Sequence, residues 1–137
     1  MPIRTAQIAD LAAIVAIYND SIPGRMATAD TEPVTVQQRE PWFREFDPAR
    51  RPLWVFCAVD GPVQGWLSLR SFYGRPAYRH TVEVGIYVDP AAQRRGIAGA
   101  LLGHALAAAP RLDIATLLAF VFGHNAPSIA LFARAGF

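Results

Sequence analysis

The spacing of hydrophobic residues changes along the chain, and each change predicts a new element of secondary structure. Residues 3–7 are typical of a short strand. A helix is expected next, with Asp10 as its N-cap and with apolar residues at helical spacing: Leu11, Ile14, Val15 and Tyr18. Residues 21–33 are rich in Pro, Gly, Thr and Asp, so we predict a loop there.

A second helix and a hairpin are predicted in the middle of the chain. Thr35 and Gln38 form a capping-box pattern, and Pro41 is expected to kink or shorten the helix that they begin. Residues 53–59 and 64–72 are rich in β-branched and aromatic side chains, and an Asp-Gly turn lies between them. This pattern predicts a β-hairpin.

Residues 80–88 alternate between two kinds of side chain, as the residues of a sheet strand do. One face carries only apolar residues: Val82, Val84, Ile86 and Val88. The other face carries Thr81, Glu83 and Tyr87. We therefore predict a central strand with one polar face.

The pattern in the last third of the chain predicts a helix, a strand and a second helix. A long apolar helix should end at Pro110, residues 116–122 should form a buried strand, and Asn125 and Gly136 should bound the last helix. The order β, α, α, β, β, β, α, β, α predicts an α/β (α+β) fold, a mixed sheet with helices packed on it, in one domain of residues 1–137. No strand is predicted after the last helix, so an edge of the sheet is expected to lack its neighbour.

Composition narrows the possible functions. With 137 residues, 53% hydrophobic and 18% charged, the chain can bury a core and does not have the composition of a disordered protein. The uncharged stretch at residues 96–110 is shorter than the roughly 20 apolar residues of a membrane span. The first residues lack a signal-peptide pattern. We expect a cytoplasmic protein with no membrane partner.

The cysteine content and the absence of lysine exclude further kinds of site and reaction. Cys57 is the single cysteine, so an intramolecular disulfide is excluded, and no histidine has metal-ligand spacing, so no metal is expected. All 13 basic residues are arginine, which excludes Walker-type phosphate loops and Schiff-base or pyridoxal chemistry, since these need lysine. The net charge of +2 permits anionic ligands, but scattered arginines do not predict a nucleic-acid partner.

A short segment between the polar-faced strand and the long helix carries the candidate chemistry. Its small residues would let backbone N–H groups converge at a helix N-terminus, where phosphate binds. The residues are Gln93, Arg94, Arg95, Gly96, Ile97 and Ala98. Taken alone, this segment is equally compatible with an ordinary glycine turn and solvated arginines. The dinucleotide-binding pattern G-x-G-x-x-G does not fit it.

The segment resembles the (Gln/Arg)-x-x-Gly-x-(Gly/Ala) signature of the GNAT superfamily of N-acetyltransferases. The resemblance extends to residues 82–90, 125–132 and 136–137. Within the superfamily the chain is similar to the phosphinothricin N-acetyltransferase branch, which also acts on methionine sulfoximine and sulfone. That similarity rests on residues 3–4, 17–19, 27–28, 30–31, 33–35, 39, 42–43, 75 and 78–83.

The resemblance implies the acyl-CoA N-acyltransferase fold, with a mostly antiparallel mixed sheet. It implies acetyl-CoA as cosubstrate and a homodimer. The branch continues for another pair of strands beyond Phe137, so the chain resembles a relative that lacks its C-terminal strands.

The resemblance also implies a coenzyme site. The pyrophosphate would lie on the six residues of the phosphate-binding segment. The pantetheine arm would pair with the backbone of Gly85, Ile86, Tyr87 and Val88, and Asn125 and Ser128 would reach the arm or its sulfur. Asn125 could also be a plain helix cap.

Glu83 is the candidate general base, which would take the ammonium proton directly or through a water. The alternative is a structural ion pair with Arg75 or Arg79. Relatives place Tyr or His at the position of Phe132 to protonate the leaving thiolate, and phenylalanine cannot do so. Tyr87, Ser128 or water could substitute, or the thiolate could leave unprotonated.

Acceptor binding is assigned to the residues before and within the polar-faced strand. Arg75 could bind a carboxylate or oxyanion through its guanidinium fork, with Arg79 as the competitor. The other candidates are Tyr78, His80, Thr81, Val82 and Glu83, with Trp42, Phe43 and Phe72 as an apolar wall. Each aromatic, taken alone, is more often a core residue.

Three hypotheses follow. The first is acetyl transfer from acetyl-CoA to a small amino-acid-like amine of the phosphinothricin, methionine sulfoximine or sulfone type. The second replaces that acceptor with a protein N-terminus or a polyamine. The third is a degenerate module that binds coenzyme A without catalysis, suggested by Phe132 and the missing strands.

Overall fold

The computed structural model describes residues 2–22, 32–58, 61–72, 78–120 and 126–137. In these ranges it has five strands and four α-helices, in the order that the sequence predicts. They are β1 (Ile3–Thr5), α1 (Leu11–Asp20), α2 (Val36–Arg44), β2 (Leu53–Cys57), β3 (Val63–Ser71), β4 (Thr81–Val88), α3 (Ile97–Ala108), β5 (Thr116–Leu118) and α4 (Ala126–Arg134).

The described strands form one mixed sheet in the order β1-β2-β3-β4-β5. The pairs β1/β2, β2/β3 and β3/β4 are antiparallel, and β4/β5 is parallel. The predicted hairpin is confirmed as β2 and β3. A short local connection therefore pairs the apolar β2 with β3 in the interior of the sheet.

Strand alternation divides the core between the two faces of the sheet. On one face Leu67, Leu69 and Val82, all fully buried, pack with Leu101 and Leu102 of α3. α4 lies against the same cluster through the partly buried Leu131 and Phe132, as does Ala135 just after the helix. This face is a dry, continuous core.

The other face is covered by α1 and α2. Ile14 and Ile17 of α1 pack with Val55 and Trp66, and the Trp66 indole N–H donates to the Ile14 carbonyl at 3.1 Å. The α1 C-terminus is fixed by Asn19, whose side-chain amide donates to the Val34 carbonyl at 2.9 Å and accepts from the Val34 N–H at 2.8 Å. These bonds fix where α2 begins.

The first helix starts differently from the prediction. Asp10 is the last residue of a 3₁₀ turn (Ile8–Asp10), and its carboxylate does not cap α1. It accepts from both terminal nitrogens of Arg4, at 2.7 and 2.9 Å, and from the Gln7 N–H at 2.7 Å. The guanidinium lowers the pKa of Asp10 by hydrogen bonding, against the opposing effect of burial.

Other element ends also differ from the prediction. β1 ends at Thr5, and β5 ends at Leu118. α2 has the predicted capping box and runs through Pro41 for three more residues. Pro110 lies in a 3₁₀ turn (Ala109–Leu112) that follows α3. Asn125 lies outside the described residues, so its capping role stays a prediction.

Candidate active site

β4 has two different halves. Its first half is paired on both sides, because Thr81, Val82 and Glu83 also pair with Thr116, Leu117 and Leu118 of β5. Residues 85–88 keep their pairing with β3, but no described residue pairs with their other edge. Within the described ranges, the backbone groups of that edge have no strand partner.

The loop after this open half leads into α3. Arg94 and Gly96 have positive φ angles of 65° and 77°, which turn the backbone into the helix. Gly96 is the N-cap and has no side chain to accept from the first turn, so the N–H groups of that turn remain for a ligand. A Cβ added at Gly96 would meet no protein atom within 4 Å. This open helix N-terminus, with exposed Arg94 and Arg95 beside it, suits an anion.

A cavity of about 260 Å³ lies on the opposite face of the sheet from α3. α1, α2 and the strands β3 and β4 each contribute to it, as does Val34, which precedes α2. Its lining residues are Ile14, Val15, Tyr18, Val34, Arg39, Trp42, Trp66, Ser68, Arg70, Glu83, Gly85 and Tyr87. The polar face of β4 thus opens on this cavity.

Aromatic rings hold one of the cavity's cations in place. The Arg39 guanidinium lies 4.9 Å from the centre of the Tyr18 ring and 5.7 Å from that of Trp42. Tyr87 stacks on Trp66 with ring centres 4.7 Å apart and meets Tyr18 edge-on at 5.2 Å. These cation–π contacts help to hold the Arg39 guanidinium at the cavity.

Glu83 makes no ion pair with a described residue. Arg70 lies directly opposite it in the strand register, but the Arg70 guanidinium is 3.7 Å from the Glu45 carboxylate. Arg79, one of the two partners expected from the sequence, donates to the His80 imidazole at 2.9 Å. Arg75, the other, lies outside the described residues, as does Asn125.

The remaining predicted acceptor residues do not line the cavity. The Val82 side chain is fully buried on the α3 face, because strand alternation points it away from Glu83, so a contact with an acceptor would have to use its backbone. Thr81 shares the face of Glu83 and pairs with Thr116. Tyr78 is exposed and meets the Phe72 ring edge-on at 5.4 Å.

Among the predicted coenzyme residues, Gly85 and Tyr87 line the cavity, whereas Ile86 and Val88 pack on the α3 side. Ser128 is partly buried on α4. Phe132 is partly buried and meets the Phe137 ring edge-on at 5.0 Å. Of the predicted apolar wall, Trp42 lines the cavity and Phe43 packs beside it in the core.

Sequence reasoning missed Arg39, Ser68 and Arg70 as site residues. The sequence spacing of each residue could have indicated its place in the site. Arg39 precedes Trp42 by three positions and so shares its helix face. Ser68 and Arg70 follow Trp66 at intervals of two residues along β3, which puts all three on the sheet face opposite α3.

Residues 13–137 match the model of the Acetyltransferase (GNAT) family. The chain belongs to this family. Among its relatives, YwnH of Bacillus subtilis, named as a proposed phosphinothricin acetyltransferase, is 50% identical over the whole chain and 83% of its own length. The L-methionine sulfoximine/L-methionine sulfone acetyltransferase of Pseudomonas aeruginosa is 32% identical over 98% of this chain and 78% of its own length.

A solved structure gives the same fold with the cosubstrate bound. The phosphinothricin acetyltransferase of Sinorhizobium meliloti, crystallised with acetyl-CoA, matches with a TM-score of 0.91 and 31% identity over 99% of this chain and 75% of that one. This chain is therefore an acetyl-CoA-dependent N-acetyltransferase with the GNAT fold. No described helix has the length and apolar content needed to cross a membrane.

Proposed function

We propose that the enzyme acetylates the primary amine of a small amino-acid-like acceptor, of the phosphinothricin, methionine sulfoximine or methionine sulfone type. The amine attacks directly, with acetyl-CoA and acceptor bound together. One observation carries this proposal: Glu83 shares a cavity with the Arg39 guanidinium, on the strand whose second half has no further partner among the described residues.

The charges of the cavity suit an amino acid. Glu83 would face the ammonium group, and Arg39 would bind the carboxylate by charge-assisted hydrogen bonds. Arg70 also lines the cavity, and the Glu45 carboxylate lies 3.7 Å from its guanidinium. A polyamine would place a second ammonium group near Arg39, which disfavours it. Arg75 remains a sequence-based candidate for a second acidic group of the acceptor.

The coenzyme would lie along the open half of β4 and at the α3 N-terminus. Bound there, acetyl-CoA supplies the acetyl group as a thioester. The first-turn N–H groups of α3, together with Arg94 and Arg95, would hold the pyrophosphate, and the backbone of residues 85–88 would pair with the pantetheine arm. Ser128 and Asn125 remain proposed contacts of that arm.

Glu83 removes the proton that makes the acceptor amine unreactive. Phe132 has no proton to give the leaving thiolate. Tyr87 and Ser128 are the hydroxyl-bearing residues proposed for that step, with water or an unprotonated departure as the other routes. A homodimer, which the resemblance implies, stays a prediction. The cytoplasmic location and the single domain over residues 1–137, which follow from composition and length, also stay predictions.

The test is thiol release from acetyl-CoA against a panel of amines. Methionine sulfone, methionine sulfoximine and phosphinothricin should be acetylated, whereas the amine of methionine sulfone without its carboxylate should have a far higher KM. Arg39→Ala should raise KM for the amino acids about 10- to 100-fold and leave KM for the decarboxylated amine unchanged. Arg44→Ala, on the exposed side of the same helix, is the control.

Two results would overturn the proposal. One is a preference for spermidine or a peptide N-terminus over every amino acid of the panel. The other is an Arg39→Ala enzyme that retains the parent's KM for the amino acids.

A further inference from the structure

Ser68 lines the cavity between α1, α2 and the sheet, and the proposed function gives it no role. It is in the middle of β3, directly opposite Gly85 of β4, and its side chain is on the same face as Glu83. Only 5% of the residue is exposed. It is one of two polar residues among the described ones that are buried to this degree, and Asp10, the other, is bonded to Arg4.

The Ser68 hydroxyl has no hydrogen-bond partner among the described residues. It is also not an enclosed, unsatisfied atom, since the described part of the chain contains none of these. The hydroxyl therefore faces the cavity. A buried hydroxyl without a partner is costly, so it is expected to bind a polar group or a water there.

Gly85 keeps the space over this hydroxyl open. A Cβ at position 85 would come within 3.0 Å of the Ser68 Oγ, closer than nearly all real contacts of that kind. Gly85 also lies in the part of β4 whose far edge has no partner among the described residues. The hydroxyl thus lies beside the point where acceptor and thioester are proposed to meet.

The distance from Ser68 to Glu83 suits a bridge through one molecule. They are diagonal neighbours on adjacent strands, with Cα atoms typically about 7–8 Å apart. A water that bonds to both groups spans about 5–6 Å between their oxygen atoms. The longer side chain of Glu83 covers the remainder, whereas a direct bond between the two side chains is absent.

We propose that Ser68 is a positioning residue that binds the water through which the acceptor's ammonium proton reaches Glu83. The water takes a proton from the ammonium nitrogen and gives one of its own to the Glu83 carboxylate. The Ser68 hydroxyl holds the water and undergoes no net change. This proposal rests on Glu83 being the base of the proposed function.

Ser68→Ala tests the relay through the pH dependence of kcat. Near neutral pH, where the amine is protonated, kcat should fall about tenfold with the KM of the acceptor within about twofold of the parent. The loss should shrink as the pH passes the pKa of the acceptor amine, because a neutral amine needs no relay. Ser68→Thr, which keeps the hydroxyl, should recover most of kcat.

Ser71→Ala is the matched control, since it removes a hydroxyl from the same strand on the opposite face. Gly85→Ala is the second variant, used with melting temperature and coenzyme affinity as checks on folding. It keeps the hydroxyl but intrudes on the water, and it should reproduce the same pH-dependent loss. Glu83→Gln combined with Ser68→Ala should be no slower than Glu83→Gln alone.

A loss that is equal at every pH, or one that appears only in KM, would overturn the relay. Additive losses in the double variant would do the same. If Glu83→Gln itself retains full activity, the assignment of the base fails. If Glu83→Gln is impaired and Ser68→Ala is not, only the relay fails. The measurements use whichever amine the parent enzyme acetylates fastest, so they do not depend on the acceptor's class.

Discussion

Alternate residues of β4 meet two different environments. Val82 and Val84 are buried against α3 in a continuous apolar core, whereas Glu83 and Gly85 line a cavity beneath α1 and α2. Both environments depend on the same backbone pairing with β3. The α3 face therefore fixes the position of the strand, and the cavity face can carry charge because it is not packed shut.

The difference shows how one strand can serve stability and chemistry separately. A charged side chain on the α3 face would be desolvated without a partner, at a large cost. On the cavity face the same side chain keeps access to a ligand or water. Substitutions on the two faces are thus expected to affect different measurements.

Glu83→Gln should have the largest effect on catalysis, and it changes only the cavity face of β4. General-base catalysis typically contributes about 10²- to 10⁴-fold, so kcat should drop by that order. The loss should be greatest at neutral pH, where the amine is protonated. The free energy of unfolding should stay near that of the parent, because Glu83 has no ion pair with a described residue. A pH–rate profile identical to that of the parent would remove Glu83 as the base.

Leu69→Ala is the corresponding change on the core side. Leu69 is fully buried opposite Val84, and removing its side chain should cost about 2–5 kcal/mol in the free energy of unfolding. Urea denaturation measures this cost, with Leu106→Ala on the exposed side of α3 as the control. KM for the acceptor should not change while the protein is folded. A tenfold change in that KM would mean that the two faces are not separable.

Gly96→Val tests the N-terminus of α3, which belongs to neither face of the sheet. Its side chain would project into the open space before α3 and would strain a backbone with φ of 77°. Coenzyme A affinity, measured by calorimetry, should fall at least about tenfold, because anion binding there needs close approach to the backbone. Gly103→Ala, in the middle of α3 with no neighbour in reach, should bind coenzyme A normally. Unchanged affinity in Gly96→Val would contradict the proposed phosphate site.

Local patterns predict the elements of this fold well. The capping box of Thr35 and Gln38 and the alternation in β4 each depend on residues close in sequence, and both are present in the structure. The placement of Glu83 on the polar face and Val82 on the apolar face follows from that alternation. The same alternation leaves only the backbone of Val82 for the acceptor contact that the sequence predicts.

Contacts between distant segments could not be predicted in the same way. Arg39 becomes part of the site only because Asn19 fixes the start of α2 and because Tyr18 of α1 supplies a ring for its guanidinium. Asp10 has the side chain and the sequence position of a helix cap. Its carboxylate instead accepts from Arg4, which the pairing of β1 with β2 brings close. Such choices depend on the assembled sheet.

Asp10→Asn should give the smallest effect and concerns the helix that covers the cavity. The Arg4 guanidinium holds the pKa of Asp10 below its usual range, so the charged pair stabilises the fold above the ordinary carboxyl pKa and is lost as the pH falls through the lower, folded-state value. Since Arg4 is about half exposed, the expected loss is only about 1 kcal/mol at pH 7. Denaturation at pH 7 and near pH 3 should show the gap between parent and variant closing at the lower pH. Asp20→Asn, at the exposed end of α1, should show no such loss. A gap of the same size at both pH values would mean that the loss does not come from the charge of the carboxylate.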